Sequence, residues 1–200
     1  MADPQATIVI PTLSAGGELR ASLDSLLGQS FDAFTVIIVD NSGRSLARQA
    51  APRDPRVTII EAPRNIGFGA AINLGARHSA APFIGTLNDD ATASPGWRAS
   101  LLDALARHPR AGMAASRVLL DERGAIDSAA MLLCADGSSK QRGHGAPPGA
   151  FPGEEEALFP SGSAALYRRE LFDKLGGFDE DFFLYCEDSD LGLRAQWAGF

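Results

Sequence analysis

The stretch Phe83-Ile84-Gly85-Thr86-Leu87-Asn88-Asp89-Asp90 joins a short apolar run directly to three polar residues. An apolar run of this length predicts a buried β-strand, and the polar triplet after it predicts where the strand ends. Residues 7–10 form a similar run before Pro11-Thr12, and residues 35–39 form another before Asp40-Asn41. Because the carboxyl ends of parallel strands meet at one edge of a sheet, these three ends predict a ligand site at that edge.

Helical spacing separates these strands. The leucines at 19, 23, 26 and 27 recur at helical intervals, and a second helix of small residues is expected from about 70 to 78. Ser94-Pro95 predicts the start of a third helix, with Ser94 as N-cap and Pro95 at the first helical position. A further strand is expected at residues 57–60. This alternation predicts an α/β fold, with a mostly parallel sheet and helices on both faces.

The second half of the chain has weaker signals. Residues 112–156 predict one strand near 113–119 and then mostly loop, which is often a binding element. A strand at 164–167 and a helix at 168–175, stopped by Gly176-Gly177, follow. Asp188 is expected to cap a last helix that runs through Leu191, Ala195 and Trp197. No linker divides the sequence, so a single domain over residues 1–200 is expected.

Composition excludes several classes of protein. The chain has 200 residues and a formal net charge of -7, with only two lysines and no basic run, which argues against nucleic-acid binding. Cys134 and Cys186 form no CxxC pair, and no histidine spacing indicates zinc. The N-terminus lacks the features of a signal peptide, and no apolar run is long enough to cross a bilayer. A cytoplasmic location is therefore expected, and docking on a membrane surface stays open.

The acidic pair after the fourth strand indicates a metal site. Adjacent carboxylates repel each other unless a cation or water compensates. Mg²⁺ or Mn²⁺, bridging to a diphosphate, is the usual partner of such oxygen ligands. The alternative is a solvated turn, in which Asn and Asp are common. The position directly after a buried strand favours the cation.

Two further segments could hold a nucleotide. Asp40 could accept hydrogen bonds from a nucleobase N–H or a ribose hydroxyl, or it could form an Asx-turn completed by Gly43. In Arg64-Asn65-Ile66-Gly67-Phe68-Gly69, the glycines allow close backbone approach to a ligand and Arg64 adds a fixed charge. Ile72 replaces the third glycine of a dinucleotide fingerprint, so that interpretation is weak. A turn with tight helix packing is the alternative.

The segment from Phe182 to Asp190 places three carboxylates after an aromatic run. A carboxylate beside aromatic rings is partly desolvated, which raises its pKa and makes it a better base. The alternative is a set of acidic residues that complements a helix dipole. Both are expected to apply, with Asp188 as the chemical group and Asp190 as a structural one. Upstream, the small residues around Ser161 and Gly162 suit the lining of a sugar pocket or an ordinary tight turn.

The sequence resembles glycosyltransferase family 2, especially its rhamnosyltransferase-like members. The resemblance rests on five segments in the expected order, which together cover nearly the whole chain. They are Ile8-Val9-Ile10-Pro11-Thr12, Val39-Asp40-Asn41-Ser42, Asn65-Ile66-Gly67-Phe68-Gly69 with Ala71 and Asn73, Leu87-Asn88-Asp89-Asp90, and Tyr185-Cys186-Glu187-Asp188-Ser189-Asp190-Leu191 with Arg194. The last of these, preceded by Gly177-Phe178-Asp179-Glu180, is the most specific.

This resemblance implies a GT-A-type, Rossmann-like fold and an inverting glycosyltransferase of polysaccharide or cell-wall biosynthesis. The donor would be a nucleotide-diphospho-sugar, of the dTDP-rhamnose or UDP-sugar type, and the acceptor a glycan or a lipid-linked hydroxyl. The cofactor would be Mg²⁺ or Mn²⁺. Residues 1–110 would form the nucleotide-binding half and residues 111–200 the acceptor and catalytic half. The enzyme would be cytoplasmic and could associate with the inner face of the membrane.

The same resemblance implies roles for individual residues. Asp188 would be the general base and Asp90 the direct metal ligand. Asp89 would contact the ribose or the sugar, next to Asn88, which replaces the first Asp of the family's Asp-x-Asp motif. The remaining nucleotide- or sugar-binding residues would be Pro11, Thr12, Asp40, Asn41, Arg64, Gly67, Asn73, Ser161, Gly162 and Glu187.

The sequence departs from the family pattern in two places. Members usually continue well beyond the Glu-Asp helix, so a chain that stops at Phe200 is expected to be truncated. Pro11-Thr12-Leu13-Ser14 also lacks the aromatic-Asn pair that is common after Pro-Thr. Two alternatives are a sugar nucleotidyltransferase and a non-catalytic fragment that only binds nucleotide. The former would need a basic loop after the first strand, where Glu18 follows Gly16-Gly17 and Arg20 is the only nearby cation.

Overall fold

The structure is a computed structural model that describes residues 3–29, 33–120 and 124–200. Its strands are β1 (Ala6–Thr12), β2 (Phe34–Asp40), β3 (Val57–Glu61), β4 (Phe83–Leu87), β5 (Met113–Ala115), β6 (Arg117–Leu119), β7 (Ile126–Ala129), β8 (Met131–Leu133), β9 (Ser139–Gln141) and β10 (Ala164–Arg168). Its α-helices are α1 (Gly17–Leu27), α2 (Ala47–Ala50), α3 (Phe68–Arg77), α4 (Trp97–Arg107), α5 (Arg169–Leu175) and α6 (Glu187–Trp197), and a short 3-10 helix covers Glu180–Phe182.

Six strands form the central sheet in the order β3-β2-β1-β4-β10-β5. β1 pairs in parallel with β2 and β4, and β2 pairs in parallel with β3. β10 runs antiparallel to both of its neighbours, β4 and β5. The predicted mostly parallel sheet is therefore confirmed, with β10 as its one reversed member among the described strands.

Helices cover both faces of the sheet, as predicted. Alternate residues of β1 point to opposite faces, so Ile8 and Ile10 pack with Leu19 and Leu23 of α1. Val9 on the other side packs against α3, in a cluster that also contains Leu191 and Ala195 of α6. On the side of α4, Leu101 and Leu105 are buried, and Trp97 is partly buried against the same layers. The middle strands β1 and β4 are mostly apolar on both sides because both of their faces are covered, and Thr7 and Thr86 are buried within them.

Two helix starts differ from the predictions. α4 begins at Trp97, not at Pro95, because Gly96 adopts a left-handed conformation (φ 80°) and the carbonyl of Ser94 accepts a bond from the Trp97 N–H, forming a turn before the helix. Ser94 is therefore not the N-cap. α6 begins one residue before Asp188, with Cys186 in the N-cap position, also left-handed (φ 69°). Asp188 is thus the second helical residue rather than the cap.

The region after Gly112 is more ordered than predicted. The single strand expected near residues 113–119 is divided at Ser116, where the chain leaves the central sheet; β5 stays in that sheet, and β6 pairs with β7. β8 and β9 form a second small hairpin within the expected loop, part of which falls on residues 121–123, outside the described residues. β8 and β9 are short, and Leu132 and Leu133 of β8 are exposed. The sequence of this hairpin therefore lacks the apolar alternation that would predict a strand. The four-residue α2 was not predicted either.

Candidate functional site

The ends of β1 and β4 are joined by a hydrogen bond. Thr12 is buried, and its Oγ1 donates to Oδ2 of Asp89 at 2.5 Å. Thr12 also lies beside Asp40 in the register of β1 and β2, and Pro11 lies half-buried beside Val39. The predicted meeting of three strand ends at one edge is therefore present in the structure. Binding of a nucleotide or sugar by these residues stays a prediction.

Asp40 connects the end of β2 to the turn and helix that follow. Its side chain is 1% exposed; Oδ1 accepts from the N–H and hydroxyl of Ser42, and Oδ2 accepts from the N–H of Ala47 at 2.7 Å. Burial alone would raise the pKa of Asp40, but these hydrogen bonds together hold that pKa below its usual value. Asp40 is thus an anion in an Asx-turn, with Gly43 at φ 65° completing it. The Asx-turn that the sequence left open as an alternative is therefore present. Contact between Asp40 and a nucleobase stays a prediction.

Asn41 holds the loop that was expected to approach a phosphate. Its Nδ2 donates to Asn65 Oδ1 at 3.0 Å and to the carbonyl of Gly67 at 3.1 Å, and its Oδ1 accepts from the N–H of Ile66 at 2.9 Å. The buried amide of Asn41 is therefore fully used in shaping residues 65–67. Its role at the site is to position the loop, and direct contact with a ligand stays a prediction.

Arg64 lines a cavity of about 500 Å³. The side chain is exposed and forms no hydrogen bond with any residue in the described parts of the chain, so its guanidinium is available to an anion. The cavity is lined by Arg64, Asn65, Ile66, Ala70, Glu180 and Phe183. Gly67 (φ 91°) belongs to the same loop and has no room for a side chain, because a Cβ there would overlap the carbonyl oxygen of Phe183. The glycine thus permits the loop before α3 and the loop before α6 to touch.

Asp89 and Asp90 differ in their surroundings. Asp89 is half-buried and held by Thr12, whereas Asp90 is exposed and has no hydrogen bond to a described residue. Within residues 3–29, 33–120 and 124–200, no group of three or more His, Cys, Asp or Glu side chains is arranged to hold a metal ion. A free carboxylate at a strand end fits Mg²⁺ or Mn²⁺ when the ion takes its other ligands from a diphosphate and water, as Mg²⁺ commonly does. The residues fit that arrangement and do not form an all-protein metal site.

Asp188 is held in one orientation by three donors. Its Oδ2 accepts from the N–H of Gly162 at 3.0 Å, and its Oδ1 accepts from the N–H of Ser189 at 2.7 Å and from the Ser189 hydroxyl at 3.2 Å. The Ser161 and Ser163 hydroxyls are 3.0 Å apart in the same turn, and the carbonyl of Ser163 accepts from the N–H of Asn88 at 2.9 Å. Hydrogen bonds therefore connect the acidic stretch after β4 to the carboxylate of Asp188.

The carboxyl group with a raised pKa in this segment belongs to Glu187. Glu187 is 6% exposed, and burial, with a smaller contribution from the negative charge of Asp188, raises its pKa above the usual value. The aromatic run before it does not provide this burial, because Phe182, Phe183 and Tyr185 are themselves exposed, Tyr185 by 76%. The expectation that the aromatic run desolvates the carboxylates is therefore wrong. Glu187 points into the interior, and its assigned contact with the donor stays a prediction.

Asn73 and Asp190 hold the chain in place around the site. The buried amide of Asn73 accepts from the N–H of Phe178 at 2.9 Å and donates to the carbonyl of Phe178 at 2.8 Å. Asp190 accepts from Arg194 at 2.8 Å, and Arg194 also donates to the carbonyls of Leu175 and Gly177. The structural role predicted for Asp190 agrees with this pairing. Contact between Asn73 and a ligand stays a prediction.

The sequence did not indicate three residues near Asp188. Ser189 orients its carboxylate, and Thr86 and Tyr167 place buried hydroxyls in the interior below α6. Ser189 could have been suspected because it directly follows the predicted base. Thr86 and Tyr167 lie within strands that resemble ordinary buried strands, so no local pattern distinguishes them.

Comparisons with known proteins identify the family. The family described as Glycosyl transferase family 2 matches residues 7–176. An N-acetylglucosaminyl-diphospho-decaprenol L-rhamnosyltransferase from Mycobacterium tuberculosis (strain ATCC 25618 / H37Rv) is 33% identical over 96% of this chain and 71% of its own length. The O-antigen biosynthesis protein RfbC of Myxococcus xanthus is 27% identical over 98% of this chain and 16% of its own length.

Solved structures share the fold. The mannosyltransferase PcManGT from Pyrobaculum calidifontis, in complex with GDP-Man and Mn²⁺, superposes with a TM-score of 0.70 at 21% identity, over 100% of this chain and 54% of its own. S. aureus TarS 1-349 in complex with UDP gives a TM-score of 0.65 at 16% identity, over 96% and 54%. The chain thus spans about half the length of these structures, and the predicted GT-A-type fold is confirmed. None of the helices in the described parts has both the length and the apolar character to cross a bilayer.

Proposed function

Because the chain belongs to glycosyl transferase family 2, we propose that it transfers a sugar from a nucleotide-diphosphate donor to an acceptor hydroxyl, with inversion at the anomeric carbon. The observation that carries this proposal is the hydrogen-bonded connection between Asp89 and Asp188. Thr12 holds Asp89, Asn88 bonds to Ser163, and Gly162 holds Asp188. An acidic pair suited to a diphosphate-bound cation and an oriented carboxylate suited to a base are therefore kept at one edge of the sheet.

Asp188 is the base in this proposal. Its carboxylate accepts the proton of the acceptor hydroxyl as the acceptor oxygen bonds to the anomeric carbon, and the bond from that carbon to the diphosphate breaks on the opposite face. The nucleoside diphosphate leaves with the electron pair of the broken bond. Gly162 and Ser189 contribute by fixing the orientation of the carboxylate before the acceptor arrives.

The remaining residues hold the donor. Asp90 and the diphosphate would bind Mg²⁺ or Mn²⁺, which offsets the charge that grows on the leaving diphosphate. Asp89 contacts a ribose or sugar hydroxyl, Arg64 pairs with a phosphate, and Asp40 contacts the nucleobase or ribose. Residues 1–110 then form the nucleotide-binding half and residues 111–200 the acceptor half. Arg20 pairs with Asp24 at 2.9 Å, which gives no support to a nucleotidyltransferase.

The donor and acceptor are proposed by similarity. The relative from Mycobacterium tuberculosis is a rhamnosyltransferase whose name specifies a lipid-linked acceptor, which supports a donor of the dTDP-rhamnose type and a lipid-linked or glycan acceptor. A UDP-sugar is the alternative donor, supported by the TarS complex with UDP. Contact with a lipid-linked acceptor would bring the enzyme to the inner face of the membrane.

Replacement of the base tests this proposal. With Asp188→Asn, turnover should fall by about 10²–10⁴-fold, the range of general acid–base catalysis, while calorimetry should show unchanged binding of dTDP or UDP. Asp181→Asn is the matched control, because Asp181 is an exposed aspartate of the same segment. Full turnover by Asp188→Asn would remove it from the base role. Nucleotide binding without turnover by the unaltered chain would favour the non-catalytic alternative.

A further inference from the structure

Three buried polar atoms beneath α6 lack a close, well-aligned hydrogen-bond partner among the described residues. They are the hydroxyl of Thr86 on β4, the hydroxyl of Tyr167 on β10 and Oε2 of Glu187 on α6. A buried polar group without a partner is rare, because it loses its bonds to water and gains nothing in return. Three such atoms from three elements therefore indicate a shared polar cluster rather than three separate defects.

The strand register and the local charges place these atoms together. Ala165 pairs with Thr86 and Tyr167 pairs with Ile84, so the Thr86 and Tyr167 side chains lie on the same face of the sheet. That face packs against α6. Burial and then the nearby carboxylate of Asp188 raise the pKa of Tyr167, and a hydrogen bond with Thr86 opposes them. Glu187 also lies within range of the Tyr167 hydroxyl. The hydroxyl therefore lies below the first turn of α6.

The two neighbouring carboxyl groups have opposite surroundings. Asp188 is half-buried and accepts bonds from Gly162 and from the N–H and hydroxyl of Ser189. Glu187 is almost fully buried, and its Oε2 receives no bond. An ionised carboxylate in a buried place needs a partner far more than a neutral carboxyl does. These surroundings favour a proton on Glu187, because its buried oxygen has no donor that would stabilise a charge.

We propose that Glu187 carries a proton in the folded protein, so that this buried carboxyl places no negative charge beside Asp188. Glu187 is then a positioning residue, since it acts on the reaction through Asp188. The proposal rests on the proposed function only for the meaning of Asp188 as base. During transfer, the proton of the acceptor hydroxyl moves to Asp188, and the proton of Glu187 stays where it is.

The groups around Glu187 agree with a neutral carboxyl. The titratable group beside it on α6 is Asp188, and the one facing it from β10 is the tyrosine Tyr167. From α3, Gly69 approaches the Cβ of Glu187 and brings no side chain. Asp190, further along α6, accepts a hydrogen bond from Arg194. None of these groups brings a positive charge to the Glu187 carboxyl.

Stability as a function of pH tests the protonation directly. A carboxyl that keeps its proton in the folded state supports folding below its unfolded pKa of about 4.3 and loses that support as pH rises through the higher folded value. Glu187→Gln removes this loss. The difference in unfolding free energy between Glu187→Gln and the unaltered chain, from urea titrations, should therefore grow in favour of the variant as pH rises above about 4.3.

Glu154 provides a matched control, because its pKa is shifted in the opposite direction to that of Glu187. Glu154 is exposed, and its hydrogen bond from Arg107 holds its pKa below the usual value. Its contribution to stability is therefore fully present above about pH 4.3 and is lost as pH falls through the lower folded value, so the difference between Glu154→Gln and the unaltered chain should stay flat above about 4.3 and shrink below it. A difference for Glu187→Gln that stays flat in that upper range, as for Glu154→Gln, or that falls there would overturn the proposal.

The pH profile of kcat supplies a second readout. A neutral Gln replaces a neutral Glu in Glu187→Gln, so the acid limb of the profile should not move, whatever the substitution does to the size of kcat. If Glu187 were an anion, its removal would shift that limb to lower pH, which would overturn the proposal. Full activity of Asp188→Asn would instead contradict the proposed function. It would not affect the conclusion that the stability measurements give about the proton on Glu187.

Discussion

Gly67 is the residue at which the loop after β3 meets the loop before α6. Its φ of 91° is unfavourable for any residue with a side chain, and a Cβ there would overlap the carbonyl of Phe183. Gly67→Ala should therefore lower the unfolding free energy by about 1–3 kcal/mol through strain and overlap together. It should also weaken nucleotide binding, because Arg64 belongs to the same loop. Urea titration and calorimetry measure the two effects.

Gly96 provides the control for Gly67. It has a similar φ of 80° but open space around the place of a Cβ. Gly96→Ala should cost only the conformational part, about 1–2 kcal/mol, and leave nucleotide binding unchanged. Equal effects of the two substitutions on stability and on binding would show that the contact with Phe183 contributes nothing.

Asp90 is the exposed carboxylate of the acidic pair and the proposed ligand of the metal ion. Asp90→Asn should remove most of the gain in dTDP or UDP affinity that Mn²⁺ or Mg²⁺ gives over EDTA, because a neutral amide is a weaker ligand for a hard cation. Calorimetry with each ion and with EDTA measures this gain. Asp24→Asn, on the surface of α1, is the control. An unchanged gain in Asp90→Asn would exclude Asp90 as the ligand.

At the scale of elements, α2 depends on Asp40. Because hydrogen bonds hold its folded pKa below the unfolded value of about 3.9, Asp40 stabilises the fold above that pH and loses this contribution as pH falls through the folded value. Asp40→Asn should lower the unfolding free energy near neutral pH by about 1.5–3 kcal/mol and make the chain less sensitive to acid. Urea titrations at several pH values measure both effects.

Asp136 is the matched control for Asp40. It forms the same turn, accepting from the N–H and hydroxyl of a serine two residues later, but it is exposed and no helix follows it. Asp136→Asn should therefore have a smaller effect than Asp40→Asn at every pH. Similar effects of the two substitutions would mean that the bond from Asp40 to Ala47 does not hold α2.

The elements that the sequence predicts correctly are those with strong local patterns. β1, β2 and β4 are apolar runs that end in polar residues, so both the strands and the edge at which Thr12, Asp40 and Asp89 meet could be predicted. The starts of α4 and α6 could not, because Gly96 and Cys186 take left-handed conformations that no residue pattern specifies. The grouping of Thr86, Tyr167 and Glu187 depends on how β4 pairs with β10 and where α6 packs on them, which local periodicity does not indicate.

At the scale of the whole molecule, one hydrophobic cluster joins the two halves of the chain. It contains Val9 and Ile84 from the first half, and Tyr167 and Leu191 from the second. We therefore expect the chain to unfold in a single cooperative transition. Trp197→Phe leaves Trp97 as the only tryptophan, and its fluorescence should follow far-UV circular dichroism with the same midpoint in urea. Two separate midpoints would show that the halves at residue 110 unfold independently.

The reversal of β10 brings the two ends of a long excursion together. β5 ends at the same edge at which β10 begins, Ala115 pairs with Ala165, and the N–H of Ser116 bonds to the carbonyl of Ala164. Residues 116–163 therefore leave the sheet and return to it at adjacent points. Closure of such a loop depends only weakly on its length. We therefore expect that most of this excursion can be lengthened, shortened or replaced without a change in the sheet.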